Sequence, residues 1–417
     1  MYEVNEQLVE QARERIRRER WYNVRLVIKA APGVSLAGAR VTVTLTRHAF
    51  RFGCNGFGLT TIADRGLGRA YEERFAALLN YATLPFYWGS YEPQRGVTRE
   101  SALRQMAAFC QERHIATKGH PLAWHEVFPA WAQQLDDAEV LDALRQRVRA
   151  LVSGFRGLVD TWDVVNEATV SARYDNAVGR WAAQKGAAPM VAELLRIAHI
   201  ANPQAELLYN DFNLRAPEYR ALVQALVDAQ APLHALGLQS HMHVQTWPLE
   251  EAWKLCESYA RWGLPLHFTE LTILSGRAKD PNDKDWHTVH TDWPTTPEGE
   301  AGQLRYGEAL YTLLYSHPAV EAITWWDFSD HQAWQGAPAG LLRADMSPKP
   351  LYERLQQLIW GEWATHAQGI IGQDETFVAR CAAGEHQVEV IMPSGDKLSG
   401  TFSLAKGENP AKTVCVS

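Results

Sequence analysis

The stretch TWDVVNEATV, residues 161–170, decides the fold because it looks like a buried strand that ends in two polar side chains. Its apolar run finishes with Asn166 and Glu167, an amide and a carboxylate side by side. Taken alone, such a pair is typical of a strand end that meets solvent. Its interpretation therefore depends on how the other strands of the chain end.

Short apolar runs alternate with segments of helical period through the middle of the chain. The runs cover residues 50–58, 79–88, 116–124, 160–167, 206–213, 236–241, 265–270 and 322–328, and helical segments include 69–80, 136–155 and 187–202. Eight strands, each followed by a helix or a long loop and apolar enough to be buried on both faces, predict a closed (β/α)8 TIM barrel of the α/β class. The alternative is an open doubly wound sheet. GCNGFG, residues 53–58, argues against it because it lacks the Lys-Ser/Thr pair of a phosphate-binding loop.

Both ends of the chain carry strand patterns. Residues 22–30 and 40–46 alternate and are joined by a turn around Pro32-Gly33, and four short strand candidates lie between residues 376 and 417. We expect the two ends to join into one small β module, because each would otherwise expose its edges. The predicted division is an N-terminal helix and strands at 1–49, a catalytic barrel at 50–360 and C-terminal strands at 361–417.

Composition excludes several classes of function. The chain has 417 residues, a formal net charge of −7 and no long basic run, which argues against nucleic acid or an anionic membrane as a partner. No stretch approaches 18 uninterrupted apolar residues, and the charged start has no apolar h-region, so we expect a cytoplasmic location. A secreted chain whose leader had been removed would look the same. The five cysteines are scattered and predict neither a disulfide framework nor a zinc site.

In a barrel of this kind the functional side chains lie at the carboxyl ends of the strands. The strand ends here carry Asn55, Tyr87, Trp88, His120, Trp124, Asn166, Glu167, Asn210, Asp211, Gln239, His241, Glu270, Trp326 and Asp327. Amides, imidazoles, indoles and two glutamates on one face suit a ligand with many hydroxyl groups. Glu167 on the fourth strand and Glu270 on the seventh form a pair that can split a glycosidic bond. One donates a proton to the leaving oxygen, and the other attacks the anomeric carbon or activates a water molecule.

Six motifs, in order along the chain, resemble those of glycoside hydrolase family 10, the retaining β-xylanase family of (β/α)8 barrels. They are GHPLAWH (119–125), WDVVNEA (162–168), YNDFN (209–213), LQSH (238–241), HFTEL (267–271) and ITWWDFSD (323–330), and they spread over roughly residues 50–360. Each motif alone is a weak signal, whereas six in order are specific.

The resemblance implies a role for each matched residue. Glu167 is similar to the acid/base and Glu270 to the nucleophile. Asn166 resembles the amide that binds the sugar's 2-hydroxyl, and Gln239 and His241 resemble neighbours of the nucleophile. His120 and Trp124 resemble residues of the sugar pocket, and Trp326 and Trp334 its aromatic lid. The implied substrate is a β-1,4-xylan or xylo-oligosaccharide, cleaved without a cofactor or metal.

Two positions depart from the family pattern. In ATLPFYWGSYEP, residues 82–93, Trp88 is retained and is expected to contact substrate, but Tyr87 stands where the family has a lysine. Leu84 and Thr83 stand roughly where it has an asparagine and an acid. Apolar and aromatic side chains thus stand where the family has charged and hydrogen-bonding groups that bind the sugar. We expect this replacement to change which sugar is bound. Thr272 replaces an aspartate that would pair with His241, so this imidazole is expected to be neutral more readily.

Three other interpretations stay open. His120, His125, His241 and His243 offer the ligands of a metal hydrolase, but alternation along a strand aims the first two to opposite sides. A non-catalytic sugar-binding protein would keep the same scaffold. A hydrolase of the same mechanism with another glycan would fit the Tyr87 departure.

The loop 275–300, with Trp286, His287, His290 and Trp293, is either a cover for one end of the groove or an ordinary surface loop. No sequence feature indicates an oligomeric state.

Overall fold

The computed structural model describes residues 2–408 and 411–417. In chain order the strands are β1 (Trp21–Lys29), β2 (Arg40–His48), β3 (Arg51–Asn55), β4 (Tyr81–Pro85), β5 (Ala116–His120), β6 (Thr161–Asn166), β7 (Glu206–Asp211), β8 (Ala235–Leu238), β9 (His241–Met242), β10 (Leu266–Ile273), β11 (Val320–Trp325), β12 (His366–Ile370), β13 (Thr376–Ala382), β14 (Gly384–Ile391), β15 (Lys397–Leu404) and β16 (Ala411–Cys415). The α-helices are α1 (Glu6–Glu19), α2 (Arg65–Leu78), α3 (Trp88–Tyr91), α4 (Glu100–Glu112), α5 (Asp137–Gly154), α6 (Ala168–Ser171), α7 (Ala177–Lys185), α8 (Ala187–Ala201), α9 (Pro217–Asp228), α10 (Leu249–Ala260), α11 (Pro297–Ser316) and α12 (Pro350–Gln357). Two 3₁₀ turns, at Ala130–Gln134 and Trp334–Gly336, and a π-helical turn at Leu358–Glu362 complete the elements.

Eight parallel strands close into a barrel. Strands β3 to β8 are successive neighbours, β10 follows β8, and β11 pairs with both β10 and β3. The predicted (β/α)8 barrel is confirmed. All six residues of β6 are buried, because helices cover the outside of the barrel and side chains fill its inside. Five of the helices, α1, α2, α5, α7 and α11, begin at a residue whose side chain caps the first turn. Asp136, for example, forms a reciprocal capping box with Glu139 at the start of α5.

One close contact on the outward-facing side of the barrel strands sets the course of β5. The ring of Trp162, on β6, is completely buried, and its centroid lies 4.8 Å from that of Phe86. A Cβ atom on Gly119 would lie 2.2 Å from Cζ3 of Trp162, far inside van der Waals contact. Only glycine fits at this position, and it immediately precedes His120 at the barrel mouth.

The strands of the two chain ends form a two-sheet module with its own hydrophobic core. One sheet has the order β13-β1-β16 and the other β12-β2-β14-β15. Val24, Leu26, Val43, Val388 and Val390 meet between them. The expected joining of the two ends is therefore present. β1 and β2 lie in different sheets, however, so the connection around Pro32-Gly33 crosses from one sheet to the other instead of closing a pair. β1 and β2 each have one apolar face. Placing them in two sheets that pack against each other buries both of these faces.

Helix α1 packs on the barrel instead of on the β module. Val9, Ala12 and Ile16 belong to the barrel's hydrophobic cluster. Just beyond the helix, the buried Arg20 side chain donates to three backbone carbonyls at 2.7–2.8 Å, those of Tyr315, His317 and Val320. The division into residues 1–49, 50–360 and 361–417 remains a proposal. It groups α1 with the N-terminal strands, whereas the helix packs on the barrel. Within the described residues, no helix combines the length and the apolar character needed to cross a membrane.

The contact between Gly119 and Trp162 predicts the result of a single substitution. Gly119→Ala forces the buried indole or the β5 backbone to shift, and overpacking of this kind costs about 1–3 kcal/mol. The free energy of unfolding, measured by urea denaturation, should fall by that amount. Gly361→Ala is the matched control, because no atom lies within 4 Å of its added Cβ. Equal stability of the two variants would contradict the packing argument.

Candidate active site

Glu167 stands at the turn from β6 into α6, and its backbone is left-handed, with φ 57° and ψ 39°. Such a conformation costs a residue other than glycine about 1–3 kcal/mol, so the surrounding structure must hold it. Its N–H donates to the carbonyl of Asn210 at 2.8 Å. The carboxylate accepts from Trp124 Nε1 at 2.9 Å and from Gln239 Nε2 at 3.0 Å. The turn therefore aims Glu167 across the mouth of the barrel.

Glu270 lies on β10 and is 4% exposed. Its Oε1 accepts from Asn210 Nδ2 at 2.7 Å, and its Oε2 lies 2.9 Å from Nε2 of His241. The other ring nitrogen of His241 lies 2.9 Å from the hydroxyl of Thr272. A neutral hydroxyl thus orients this imidazole at the place where the family resemblance leads one to expect a carboxylate. Two donors on two other strands fix the Glu270 side chain.

A chain of amides connects the two glutamates. Asn166 Oδ1 accepts from Asn210 Nδ2 at 2.8 Å and from Gln239 Nε2 at 3.1 Å. Asn210 therefore reaches Glu270 and Gln239 reaches Glu167, with Asn166 between them. These two bonds identify the oxygen end of the Asn166 amide, so its amino group lies on the opposite side. The resemblance did not assign a role to Asn210. Its position at a strand end had nevertheless placed it among the candidate functional residues.

The two carboxyl groups are tuned in opposite directions. Burial, with the nearby charge of Glu270, raises the pKa of Glu167 to about 8 despite the hydrogen bond from Gln239. Burial also acts to raise the pKa of Glu270, but the hydrogen bond from His241 and the charges of His120, His241 and Lys118 outweigh it and leave the pKa lowered. At neutral pH Glu167 therefore keeps its proton while Glu270 is ionised.

A buried ion pair supports His120 from below. Lys118 Nζ lies 2.6 Å from Asp163 Oδ2, and both side chains are almost completely buried. The same oxygen lies 2.8 Å from Nδ1 of His120, whose Nε2 is 3.8 Å from Glu270. Sequence reasoning missed Lys118 and Asp163. The signal available was alternation along β5, which places residues 118 and 120 on one face of the strand.

Aromatic rings line the mouth around these groups. The ring centroid of Trp326 lies 5.6 Å from that of His120 and 5.7 Å from that of His241. The ring centroid of Trp334 lies 4.8 Å from that of His241. The structure thus brings both expected lid residues to the site.

Tyr87 is the residue that most changes the character of the mouth. Its ring lies 5.4 Å from that of His120 and 5.7 Å from that of Trp124. Burial, together with the charges of Glu270 and Glu167, raises its pKa well above the ordinary value for a tyrosine. The phenol is therefore neutral, and a hydroxyl group stands where the family resemblance leads one to expect a cation.

Trp88 packs among other aromatic side chains, and its contact with substrate stays a prediction. It is only 6% exposed, its ring meets those of Phe128 and Trp131, and its indole N–H donates to Glu92 at 3.0 Å. The chain turns into helix α3 at this residue, which directs the side chain of Trp88 away from that of Tyr87.

The four histidines offered to the metal-hydrolase interpretation serve different neighbours. His120 bonds Asp163, His125 bonds Ser171 at 2.9 Å and His241 bonds Glu270. His243 is buried among aromatic rings. In residues 2–408 and 411–417, no three or more histidine, cysteine, aspartate or glutamate side chains are grouped to hold a metal ion.

Removing Lys118 should destabilise the barrel strongly. Lys118→Met leaves the buried charge of Asp163 without its partner, which costs about 3–5 kcal/mol. A double variant with Asp163→Asn removes that charge and keeps an oxygen that can accept from His120, so it should recover most of the loss. Urea denaturation of both variants measures the difference. A double variant no more stable than Lys118→Met would contradict this account.

Comparison with known proteins agrees with this geometry. Residues 57–358 match the family model "Glycosyl hydrolase family 10". Endo-1,4-beta-xylanase B of Paenibacillus barcinonensis is 30% identical over 247 residues, which cover 56% of this chain and 71% of that protein. Anti-sigma-I factor RsgI6 of Acetivibrio thermocellus is 25% identical over 420 residues, which cover 98% of this chain but 50% of that protein.

Solved structures show the same fold. The crystal structure of xylanase 10B from Thermotoga petrophila RKU-1 in complex with xylobiose superposes with a TM-score of 0.63 at 22% identity, and the match covers 75% of this chain and 95% of that one. The family match covers seven of the eight barrel strands, all except β3, and includes both catalytic candidates, Glu167 and Glu270. The chain therefore belongs to glycosyl hydrolase family 10 and is a xylanase-like glycoside hydrolase.

Proposed function

We propose that this protein cleaves β-1,4-xylosidic bonds in xylan or xylo-oligosaccharides by a retaining, double-displacement mechanism. The observation that carries the proposal is the opposite tuning of two carboxyl groups in one mouth. Glu167 holds a proton at neutral pH and Glu270 does not. A proton donor and an ionised nucleophile are the two groups that this reaction needs.

The first step forms a covalent sugar ester on Glu270. Its carboxylate attacks the anomeric carbon, while Glu167 gives its proton to the glycosidic oxygen and the bond to the leaving sugar breaks. The amino group of Asn166 lies on the side opposite its two donors, where it can donate to the 2-hydroxyl. That hydrogen bond strengthens as the transition state becomes oxocarbenium-like.

The second step reverses the role of Glu167. Once Glu270 is esterified its negative charge is gone, and that charge is one of the causes of the raised pKa of Glu167. The pKa of Glu167 therefore falls, and the carboxylate can take a proton from water. The hydroxide oxygen displaces Glu270 from the anomeric carbon, which restores the original configuration and both carboxyl groups. No cofactor or metal takes part in either step.

Xylan is the first-choice substrate because relatives named as endo-1,4-beta-xylanases match the chain in sequence. The neutral phenol of Tyr87 keeps another β-linked glycan or glycoside as the alternative within the same mechanism. A buried hydroxyl group and a cation form different hydrogen bonds with a sugar, so they select different sugars. A match over 98% of this chain to a protein named as an anti-sigma factor keeps a non-catalytic role as the candidate of another class.

A panel of aryl β-glycosides separates these candidates. The panel contains xyloside, xylobioside, glucoside, galactoside, glucuronide and cellobioside, and release of the aryl alcohol is measured. We expect release from the xylobioside and its loss in Glu270→Ala, with Glu218→Ala on the exposed face of α9 as the control. Release from another sugar alone would move the substrate and keep the mechanism. Binding without release from any sugar would favour the non-catalytic role.

The pH dependence of kcat/KM tests the tuning of the two glutamates. Activity needs protonated Glu167, so it should fall as pH rises through about 8. Activity also needs ionised Glu270, so the acid limb should lie below the ordinary range of a glutamate pKa. In Glu167→Gln the basic limb should disappear and the rate should fall by about 10²–10⁴-fold.

A dinitrophenyl leaving group provides the control for this measurement, because it departs without a proton. The first step of Glu167→Gln should then approach the wild-type rate. A basic limb that survives in Glu167→Gln would show that another group titrates, and would contradict the assignment of the acid.

A further inference from the structure

The long loop between β10 and α11 is folded against the segment that carries Trp334. Within residues 275–300, Lys279 is 2% exposed and binds the carboxylate of Asp283 and, at 2.8 Å, the carbonyl of Asp285. Trp293 is buried with Leu274, Ala337 and Ala339, and its indole N–H donates to the carbonyl of Arg277 at 2.8 Å. A buried lysine and a small hydrophobic core distinguish this segment from an ordinary surface loop.

Backbone and side-chain bonds interlock the two segments. Gln335 Nε2 donates to the carbonyl of Trp286 at 3.0 Å, and the N–H of His290 donates to the carbonyl of Gln335 at 2.8 Å. Gly336 has φ +66°, and a Cβ atom there would lie 2.1 Å from the carbonyl oxygen of His290. Residues 286–290 and 334–336 are therefore in direct contact through main-chain atoms, so that neither segment can shift without the other.

A series of ring contacts connects this loop to the partner of Glu270. The rings of Trp286 and Trp334 stack at 5.9 Å with an interplanar angle of 21°. Lys279 Nζ lies over the ring of Trp286, 5.2 Å from its centroid. Trp334 lies 4.8 Å from His241, which bonds Glu270. The edge of His243 meets both indoles, at 5.8 Å and 5.1 Å.

We propose that Trp286 is a positioning residue, which acts through Trp334 and makes it a fixed wall over the reacting sugar. The ring of Trp334 stacks against that of Trp286 and also contacts the ring of His241. A lid held in this way is ordered before substrate binds, so little conformational freedom is lost on binding. The part of the proposal that concerns the sugar rests on the proposed function, whereas the part that concerns Trp334 does not.

A double-mutant cycle tests whether Trp286 acts through Trp334. The variants are Trp286→Ala, Trp334→Ala and both together, assayed for kcat and KM on the aryl xylobioside. Loss of an aromatic pair of this kind predicts a fall of about 2- to 10-fold in kcat/KM for Trp286→Ala. That fall should appear chiefly as a raised KM, and it should vanish when Trp334 is already alanine. Effects that multiply would mean that Trp286 touches the sugar independently, and would overturn the proposal.

Two further variants separate positioning from general stability. Trp286→Phe keeps a flat ring against Trp334 and should retain most of the activity. Trp262→Ala removes another half-buried indole, one that bonds Gln224 on the outside of the barrel, and should leave KM unchanged. An equal rise in KM for Trp262→Ala would contradict a specific role for Trp286.

Hydrogen exchange of the ligand-free protein tests the wall without any substrate. In Trp286→Ala the amides of residues 333–337 should exchange faster than in the wild type, while those of β6 stay unchanged. Unchanged exchange at 333–337 would overturn the proposal, whatever sugar the protein cleaves. If the wild type hydrolyses no glycoside of the panel but the exchange increases as expected, the proposed function fails and the positioning of Trp334 by Trp286 stands.

Discussion

Two carboxyl groups that share one water-poor mouth cannot both be ionised without a large cost, and the rest of the site follows from this constraint. The structure meets it by giving the two groups unequal partners. Glu270 receives a bond from an amide and faces two imidazoles, with a buried lysine behind one of them. Glu167 receives an indole N–H and an amide N–H. The imidazole of His125 lies 3.9 Å from Glu167, but burial lowers the pKa of His125 to about 4, so this imidazole is neutral and the effect of burial on Glu167 prevails. The distribution of donors, more than the distance between the groups, decides which one keeps the proton.

The barrel supplies these donors from different strands, and local devices direct them. Gly119 lets β5 pass close to Trp162, and this brings His120 to the mouth. The left-handed turn at Glu167 directs a side chain inward where the strand becomes a helix. Asn210 then connects its neighbours in two ways, through its carbonyl to the backbone of Glu167 and through its amide to Glu270. A shift of any one of these strands would change the environment of both glutamates.

The barrel and the two glutamates could be predicted from the sequence because their signals are local. Each barrel strand is a short apolar run that can be recognised from consecutive residues. Parallel strands then place their carboxyl ends on one face of the barrel. The ion pair of Lys118 and Asp163 was missed because both residues lie within buried strands. Charged side chains are rarely fully buried, so no sequence feature gave a reason to pair these two. Trp88 begins helix α3, so strand alternation does not predict the direction of its side chain. The contact of Trp286 with Trp334 joins two loops 48 residues apart, and no local pattern indicates it.

The central claim is that Glu270 forms a covalent bond to the sugar while Glu167 handles the proton. The most direct test is to incubate the protein with a dinitrophenyl 2-deoxy-2-fluoro-β-xylobioside and to measure its mass. The fluorine slows both steps, and the good leaving group speeds the first one, so the ester should accumulate. We predict an added mass of one fluoroxylobiosyl group, located on the peptide that contains Glu270 and absent in Glu270→Ala. A label on another residue, or turnover of xylobiosides to the inverted sugar with no label, would contradict the account.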